Sequence, residues 1–136
     1  MVFSLLRREA QKDLFPLARK EKVAVVAREP LMNGFLTGKF LKQPRFFPGD
    51  IREGWPPDYI EGVRRKVDGL RFLSNPERTM AQAALKFALT DKAVSTVIPG
   101  CKSEEHAIEN FSASDCKDFS RQELEQLGAS GWMAEI

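Results

Sequence analysis

Residues 94–110, Val-Ser-Thr-Val-Ile-Pro-Gly-Cys-Lys-Ser-Glu-Glu-His-Ala-Ile-Glu-Asn, constrain the fold more than any other stretch of the chain. Val94, Val97 and Ile98 form a short β-branched run that suits a buried parallel strand. Pro99-Gly100 ends it, because proline has no N–H for the ladder and glycine lets the backbone turn. Ser103 then stands where a hydroxyl can cap a helix by accepting from the N–H of Glu105 or His106. A strand, a tight turn and a capped helix are therefore expected in that order. Lys102 and His106 fall beside the helix N-terminus, where free amides and the helix dipole favour an anion.

The same alternation recurs upstream. Val2–Leu6 reads as an apolar strand, Glu9 to about Glu21 as a helix with Leu14, Leu17 and Ala18 on one face, and Val23–Ala27 as a second buried strand. Pro16 has to kink or restart that helix, since it removes one internal bond. Two apolar runs joined by a helix make a βαβ unit with a right-handed crossover. Phe40–Pro57 is a loop in which Phe46, Phe47 and Trp55 are too apolar to stand in water as a group. A helix starts near Pro57-Asp58, carries Tyr59, Ile60, Val63, Val67 and Leu70 at helical spacing, and stops before Asn75-Pro76. Thr79 is placed to cap the next helix, Met80–Thr90. Ser120 and Glu123 have capping-box spacing for a last helix from about Arg121 to Leu127 or a little further, with Gly128 and Gly131 leaving its end unfixed.

Two separated motifs resemble the aldo-keto reductases, which are (β/α)8 barrels using NADPH. Ile98-Pro99-Gly100-Cys101-Lys102-Ser103, closing with Glu109-Asn110, is similar to that family's last βα unit. Pro30-Leu31 and Gly34-Phe35-Leu36-Thr37-Gly38-Lys39 resemble the end of its seventh strand and the turn beyond. Leu5-Leu6-Arg7-Arg8 and Leu17-Ala18-Arg19 fit the unit before. The resemblance implies an α/β segment of a TIM barrel, about three parallel strands with flanking helices. Residues 1–136 would be the C-terminal, NADP-binding portion of the barrel.

By position, the resemblance assigns the adenosine 2′-phosphate to Lys102 and Ser103 and the adenine to Glu109 and Asn110. His106 falls where a phosphate- or adenine-contacting residue usually stands. Arg28, Pro30, Leu31 and Gly100 complete the expected cofactor set. Arg28 stands where the family often has a nicotinamide-stacking Tyr, and a guanidinium can also lie on a flat ring. Glu29 stands where it often has Ser at the pyrophosphate; paired with Arg28 or Lys39 it need not repel the cofactor. Arg28 and Glu29 also read as a purely structural ion pair at a strand end.

The family's proton donor is a Tyr helped by Asp, Lys and His. The single tyrosine, Tyr59, and the single histidine, His106, fall on neither position. The expectation is therefore no catalytic residue in this chain, which would be a gene fragment or the C-terminal piece of a split or truncated enzyme. A small carbonyl substrate follows only for the completed enzyme. Rival readings are a non-catalytic nucleotide-binding half-barrel or assembly remnant, and an unrelated small α/β binding domain.

The outer strands Val2–Leu6 and Val94–Ile98 would leave open apolar edges, so self-association or an N-terminal half-barrel partner is expected. Twenty-one basic residues against nineteen acidic ones give a net charge of +2, too little to argue for nucleic acid. No apolar run approaches the roughly 18 residues of a membrane span. Two cysteines, Cys101 and Cys116, match no metal spacing, and the N-terminal apolar residues precede the charges, the wrong order for a secretory signal. A reducing cytoplasm is the default location.

Overall fold

The computed structural model describes residues 1–42 and 45–129. Two strands, β1 (Val25–Arg28) and β2 (Val94–Ile98), pair in parallel. Among the described residues five α-helices accompany them: α1 (Leu14–Lys20), α2 (Pro57–Gly69), α3 (Met80–Thr90), α4 (Glu104–Ser112) and α5 (Arg121–Ala129). The register pairs Val25 with Val94, then Val26 with Thr96, so Ser95 is skipped and the pairing resumes through Ala27–Val97 and Arg28–Ile98. Side chains alternate across a strand. Val25, Ala27 and Val94 therefore share the face that packs on the helices, and Val26, Arg28, Thr96 and Ile98 share the other.

The expected first strand, Val2–Leu6, shrinks to one bridge between Val2 and Arg28. Met1, Val2 and Phe3 do lie along β1. The Met1 amino group donates to the Val26 carbonyl at 2.7 Å, the Arg28 N–H to the Met1 carbonyl at 2.8 Å, and the Phe3 N–H to the Arg28 carbonyl at 3.2 Å. The strand stops there because the chain turns. Ser4 and Arg7 exchange backbone bonds of 3.0 and 3.2 Å, and the Ser4 hydroxyl accepts from the Leu6 N–H at 3.3 Å. A side-chain acceptor so close in sequence competes with the ladder.

The expected helix from Glu9 to Glu21 is two pieces, a 3₁₀ turn at Glu9–Gln11 and α1. Pro16 sits in the first turn of α1, where a missing N–H costs no internal bond. The apolar face of α1 is also different from the expected one. Phe15 and Ala18 are buried, whereas Leu14 and Leu17 are exposed. The second strand begins at Val25 instead of Val23, after Lys22 takes a left-handed φ of +55°.

The remaining elements follow the sequence closely. α2 opens on Pro57 and buries Val63 and Val67, with Leu70 buried just past its end, while Tyr59 stays exposed. In α3 the Thr79 hydroxyl accepts from the Gln82 N–H at 3.1 Å, and the Gln82 side chain accepts from the Thr79 N–H at 2.9 Å. Ser120 and Glu123 form the same reciprocal cap on α5, at 3.2 and 2.7 Å. Gly131, expected to bear on the end of that helix, lies outside the described residues.

The core has two parts. One lies between α2, α3 and the chain after β1, through Leu31, Phe35, Leu36, Val67, Leu73 and Ala84. The other joins the sheet to α1 and α3 through Phe3, Phe15, Ala27, Ala88 and Val94. Phe3 meets Phe15 edge-on, with ring centroids 4.7 Å apart. In the loop before α2, Trp55 stacks on Phe35 at 5.8 Å and Phe46 lies 6.3 Å from the same ring. Phe47, grouped with them on sequence grounds, is instead 81% exposed. No described helix is long and apolar enough to cross a membrane.

Candidate functional site: a cationic cleft at the strand ends

Parallel strands leave their C-terminal ends open between the loops that follow, and that is where ligand sites form in such folds. Here the loops after β1 and β2 enclose a cleft of about 770 Å³, within the range of small-molecule and cofactor sites.

The β1 side is a strained turn. Arg28 ends the strand and donates to the Glu29 carboxylate at 2.7 Å. Glu29 has φ +56°, and Met32 and Asn33 have φ +49° and +51°. Non-glycine residues rarely adopt these angles, and clusters of them mark places where surrounding structure holds the backbone for a purpose. Gly34 follows at φ +86°, and a Cβ there would lie 3.3 Å from Arg52 Nη1. Only glycine fits that turn without moving the arginine.

Arg52 holds the loop before α2 against this turn. Its Nη1 donates to the Asn33 carbonyl at 2.7 Å, and its Nε donates to Asp50 Oδ1 at 2.7 Å. Its guanidinium also lies 4.6 Å from the centre of the Phe40 ring and 5.0 Å from that of Phe46. The hydrogen bonds from Arg52 hold the Asp50 carboxyl well below the usual carboxylate range, with the Lys102 charge adding to the effect. Burial lowers the Lys39 ammonium, and the Arg52 and Lys102 charges lower it further. Lys39, Arg52 and Lys102 thus crowd around a single carboxylate.

The β2 side is the turn and first half of α4. The Ser103 hydroxyl accepts from the His106 N–H at 3.2 Å, as capping requires. The same hydroxyl, two residues away, helps to hold the Glu105 carboxyl below its usual value. Glu104 and Glu105 are both exposed. Lys102 has neither a hydrogen bond nor an ion pair with any described residue. Asn110 Nδ2 donates to the Gly100 carbonyl at 3.4 Å, and Glu109 Oε1 accepts from the Thr79 hydroxyl at 2.7 Å.

Of the residues singled out from sequence, Arg28, Pro30, Leu31, Gly100, Lys102, His106, Glu109 and Asn110 all line this one cleft. Ser103 does not line it. Tyr59 lies outside the cleft, its ring edge-on to Trp55 at 5.4 Å. Lys39, Asp50 and Arg52 line the cleft but were absent from the expected set. The signal for Arg52 was the aromatic character of its loop, although of those rings it lies only on Phe46, with Phe40 the other face.

A sequence model described as the Aldo/keto reductase family matches residues 1–130. The chain is 31% identical over 136 aligned residues to L-glyceraldehyde 3-phosphate reductase of Escherichia coli O157:H7, an alignment covering 92% of this chain and 38% of that protein. It is 29% identical over 115 residues to a probable voltage-gated potassium channel subunit beta of Arabidopsis thaliana, covering 80% of this chain and 35% of the other. Among solved structures, glycerol dehydrogenase from Gluconobacter oxydans superposes with a TM-score of 0.78 at 21% identity, over 95% of this chain and 40% of that one. The holo form of an aldo-keto reductase from Bacillus halodurans gives 0.64 at 23% identity, over 95% and 40%. The chain thus spans about two-fifths of the length of these relatives.

Proposed function

Because this chain belongs to the aldo/keto reductase family, we propose that residues 1–136 are the C-terminal, NADP-binding portion of an enzyme that reduces small aldehydes or ketones to alcohols. The observation that carries this reading is the charge of the cleft. Four cations, Arg28, Lys39, Arg52 and Lys102, line it against three carboxylates, Glu29, Asp50 and Glu109, and Lys39, Arg52 and Lys102 gather at Asp50 alone. Such a set is left in excess positive charge until an anion arrives, and a dinucleotide phosphate brings several negative charges.

Lys102 meets the 2′-phosphate, with the α4 N-terminus behind it. Ser103 serves through the cap it makes. His106 stands at the same helix end, and Glu109 and Asn110 reach the adenine. Lys39 and Arg52 face the pyrophosphate. Arg28 covers the nicotinamide, and Pro30, Leu31 and Gly100 shape the wall. The ion pair with Arg28 offsets the charge of Glu29, which also lines the cleft. When bound, the dinucleotide supplies the hydride that a carbonyl carbon accepts.

The open face of the sheet is covered by the rest of a barrel, carried on an N-terminal half-barrel partner, or by a second copy of this chain. A cytoplasmic location agrees with the two unpaired cysteines, Cys101 and Cys116. A second reading, a nucleotide-holding module without turnover, draws on the placement of Tyr59 outside the cleft. The purified chain is then expected not to oxidise NADPH with simple aldehydes. Turnover above background that disappears in Arg28→Ala would remove that second reading.

The decisive experiment titrates NADP and NAD into the wild-type chain and Lys102→Ala. A charge-assisted contact is worth roughly 1.5–3 kcal/mol, about ten- to a hundred-fold in Kd. Lys102→Ala should weaken NADP by that factor and leave NAD nearly unchanged. Equal weakening of both nucleotides would show that Lys102 does not read the 2′-phosphate.

A further inference from the structure

We infer that Thr79, at the start of α3 and outside the expected cofactor set, is a positioning residue that aims Glu109 at a 6-aminopurine. The inference rests on the nucleotide reading above. The Thr79 hydroxyl has one proton and two lone pairs. The α3 cap commits the acceptor side, since Oγ1 takes the Gln82 N–H at 3.1 Å. The proton is then given to Glu109 Oε1 at 2.7 Å, across thirty residues of sequence. A hydrogen bond to a carboxylate is among the stronger kinds and fixes its orientation.

Thr79 is itself held on both sides. The Gln82 side chain accepts from its N–H at 2.9 Å. The preceding residue, Arg78, is only 5% exposed and donates to the Leu73 carbonyl at 2.9 Å, with a further ion pair to Glu123. Its guanidinium lies 4.4 Å from the centre of the Phe119 ring. The hydroxyl thus projects from a rigid point. Glu109 Oε2 has no hydrogen-bond partner among the described residues, and Glu109 lines the cleft. An ionised carboxylate oxygen only accepts. It suits a base that offers an exocyclic N–H₂ and opposes one that offers a carbonyl oxygen in the same place. A threonine one helix away thereby sets which purine the cleft takes.

The test measures the affinity of the full chain for NADP and for its hypoxanthine counterpart, in which the amino group is replaced by a carbonyl. Both are titrated into wild type, Thr79→Val, Thr79→Ser and Thr79→Asp. Wild type should prefer NADP, and Thr79→Val should reduce that preference about ten-fold, the worth of one hydrogen bond to a charged group. Thr79→Ser should restore it. Thr79→Asp keeps an acceptor for the α3 cap but has no proton to give, so it should lose the preference while retaining the helix. A variant that only loosens the fold weakens both nucleotides equally, and the ratio is then unchanged. An unchanged ratio in Thr79→Val and Thr79→Asp overturns the inference and leaves the nucleotide reading standing. Failure of the wild type to bind either nucleotide overturns both.

Discussion

On one face of the sheet, Phe3, Val25, Ala27 and Val94 meet Phe15, Ala18 and Ala88. On the other, Val26, Arg28, Thr96 and Ile98 stand uncovered, with Val26 44% and Ile98 57% exposed. The two faces alternate along the same two strands, so local propensity cannot distinguish them. Parallel sheets are ordinarily covered on both sides. The covered face is finished by helices within this chain. The bare face needs side chains from strands that complete a barrel, and the relatives are more than twice this length. The bare face also leads, through Arg28 and Ile98, into the cationic cleft. The same lack of cover that leaves Val26 exposed leaves the cleft reachable.

The largest test of this contrast is a pair of truncations. Phe15→Ala, on the covered side, should cost about 3–5 kcal/mol, as for other buried aromatics. Val26→Ala should cost within about 0.5 kcal/mol, as for an exposed site. Urea unfolding of both, at a concentration where the chain sediments as a monomer, measures the difference. Equal costs would mean that the bare face is covered even in the monomer.

A comparable asymmetry is expected between two ion pairs. Arg78 is 5% exposed on its side chain and pairs with Glu123, whereas Arg121 is 92% exposed and pairs with Glu125. Breaking a buried pair strands a charge and costs about 3–5 kcal/mol, while an exposed pair contributes at most about 1 kcal/mol. Thermal melts of Arg78→Ala and Arg121→Ala should differ accordingly.

Association comes next and involves only the bare face. The wild-type chain is expected to sediment as a dimer or larger at high micromolar concentration, and Val26→Lys with Ile98→Lys should reduce it to a monomer. Unchanged sedimentation in the double variant would place the contact elsewhere, with the exposed Ile108 and Phe111 of α4 the next residues to change.

The smallest effect is on pH. Burial opposes ionisation of Glu123, but the Ser120 N–H bond and the Arg78 charge outweigh it and hold the carboxyl below its ordinary value. A carboxyl depressed by folding contributes stability that is complete above the unfolded value, about 4.3, and is lost as pH falls through the folded one. The Tm of wild type should therefore approach that of Glu123→Gln as the solution is acidified from about pH 6 to about pH 3. A constant gap would mean that Glu123 does not couple to folding.

The legible parts of the chain were those decided by neighbours in sequence. Thr79 and Ser120 cap helices as their spacing predicts, and Pro57 opens α2. The two parallel strands were legible because β-branched runs and Pro-Gly stops act within a few residues. Val2–Leu6 was misread as a full strand because a serine's competition with the ladder depends on how the turn closes. α1 was misread because Phe15 and Leu14 are both apolar, and the tertiary neighbours of Phe15, Phe3 and the sheet residues Val25, Ala27 and Val94, decide which one is buried.

The sequence by itself determined the order of βα units and singled out nine residues of which eight come to line the cleft. Motif residues follow strand ends directly, and strand ends fall together once the strands pair in parallel. The tertiary structure alone decided the charge of that cleft and the aim of its groups. Arg52 reaches the Asn33 carbonyl across nineteen residues, and Thr79 reaches Glu109 across thirty. No periodicity records such a meeting. It exists because α3, α4 and the loop before α2 pack against shared neighbours, and hydrogen-bond partners are set by distance in space and not by distance along the chain.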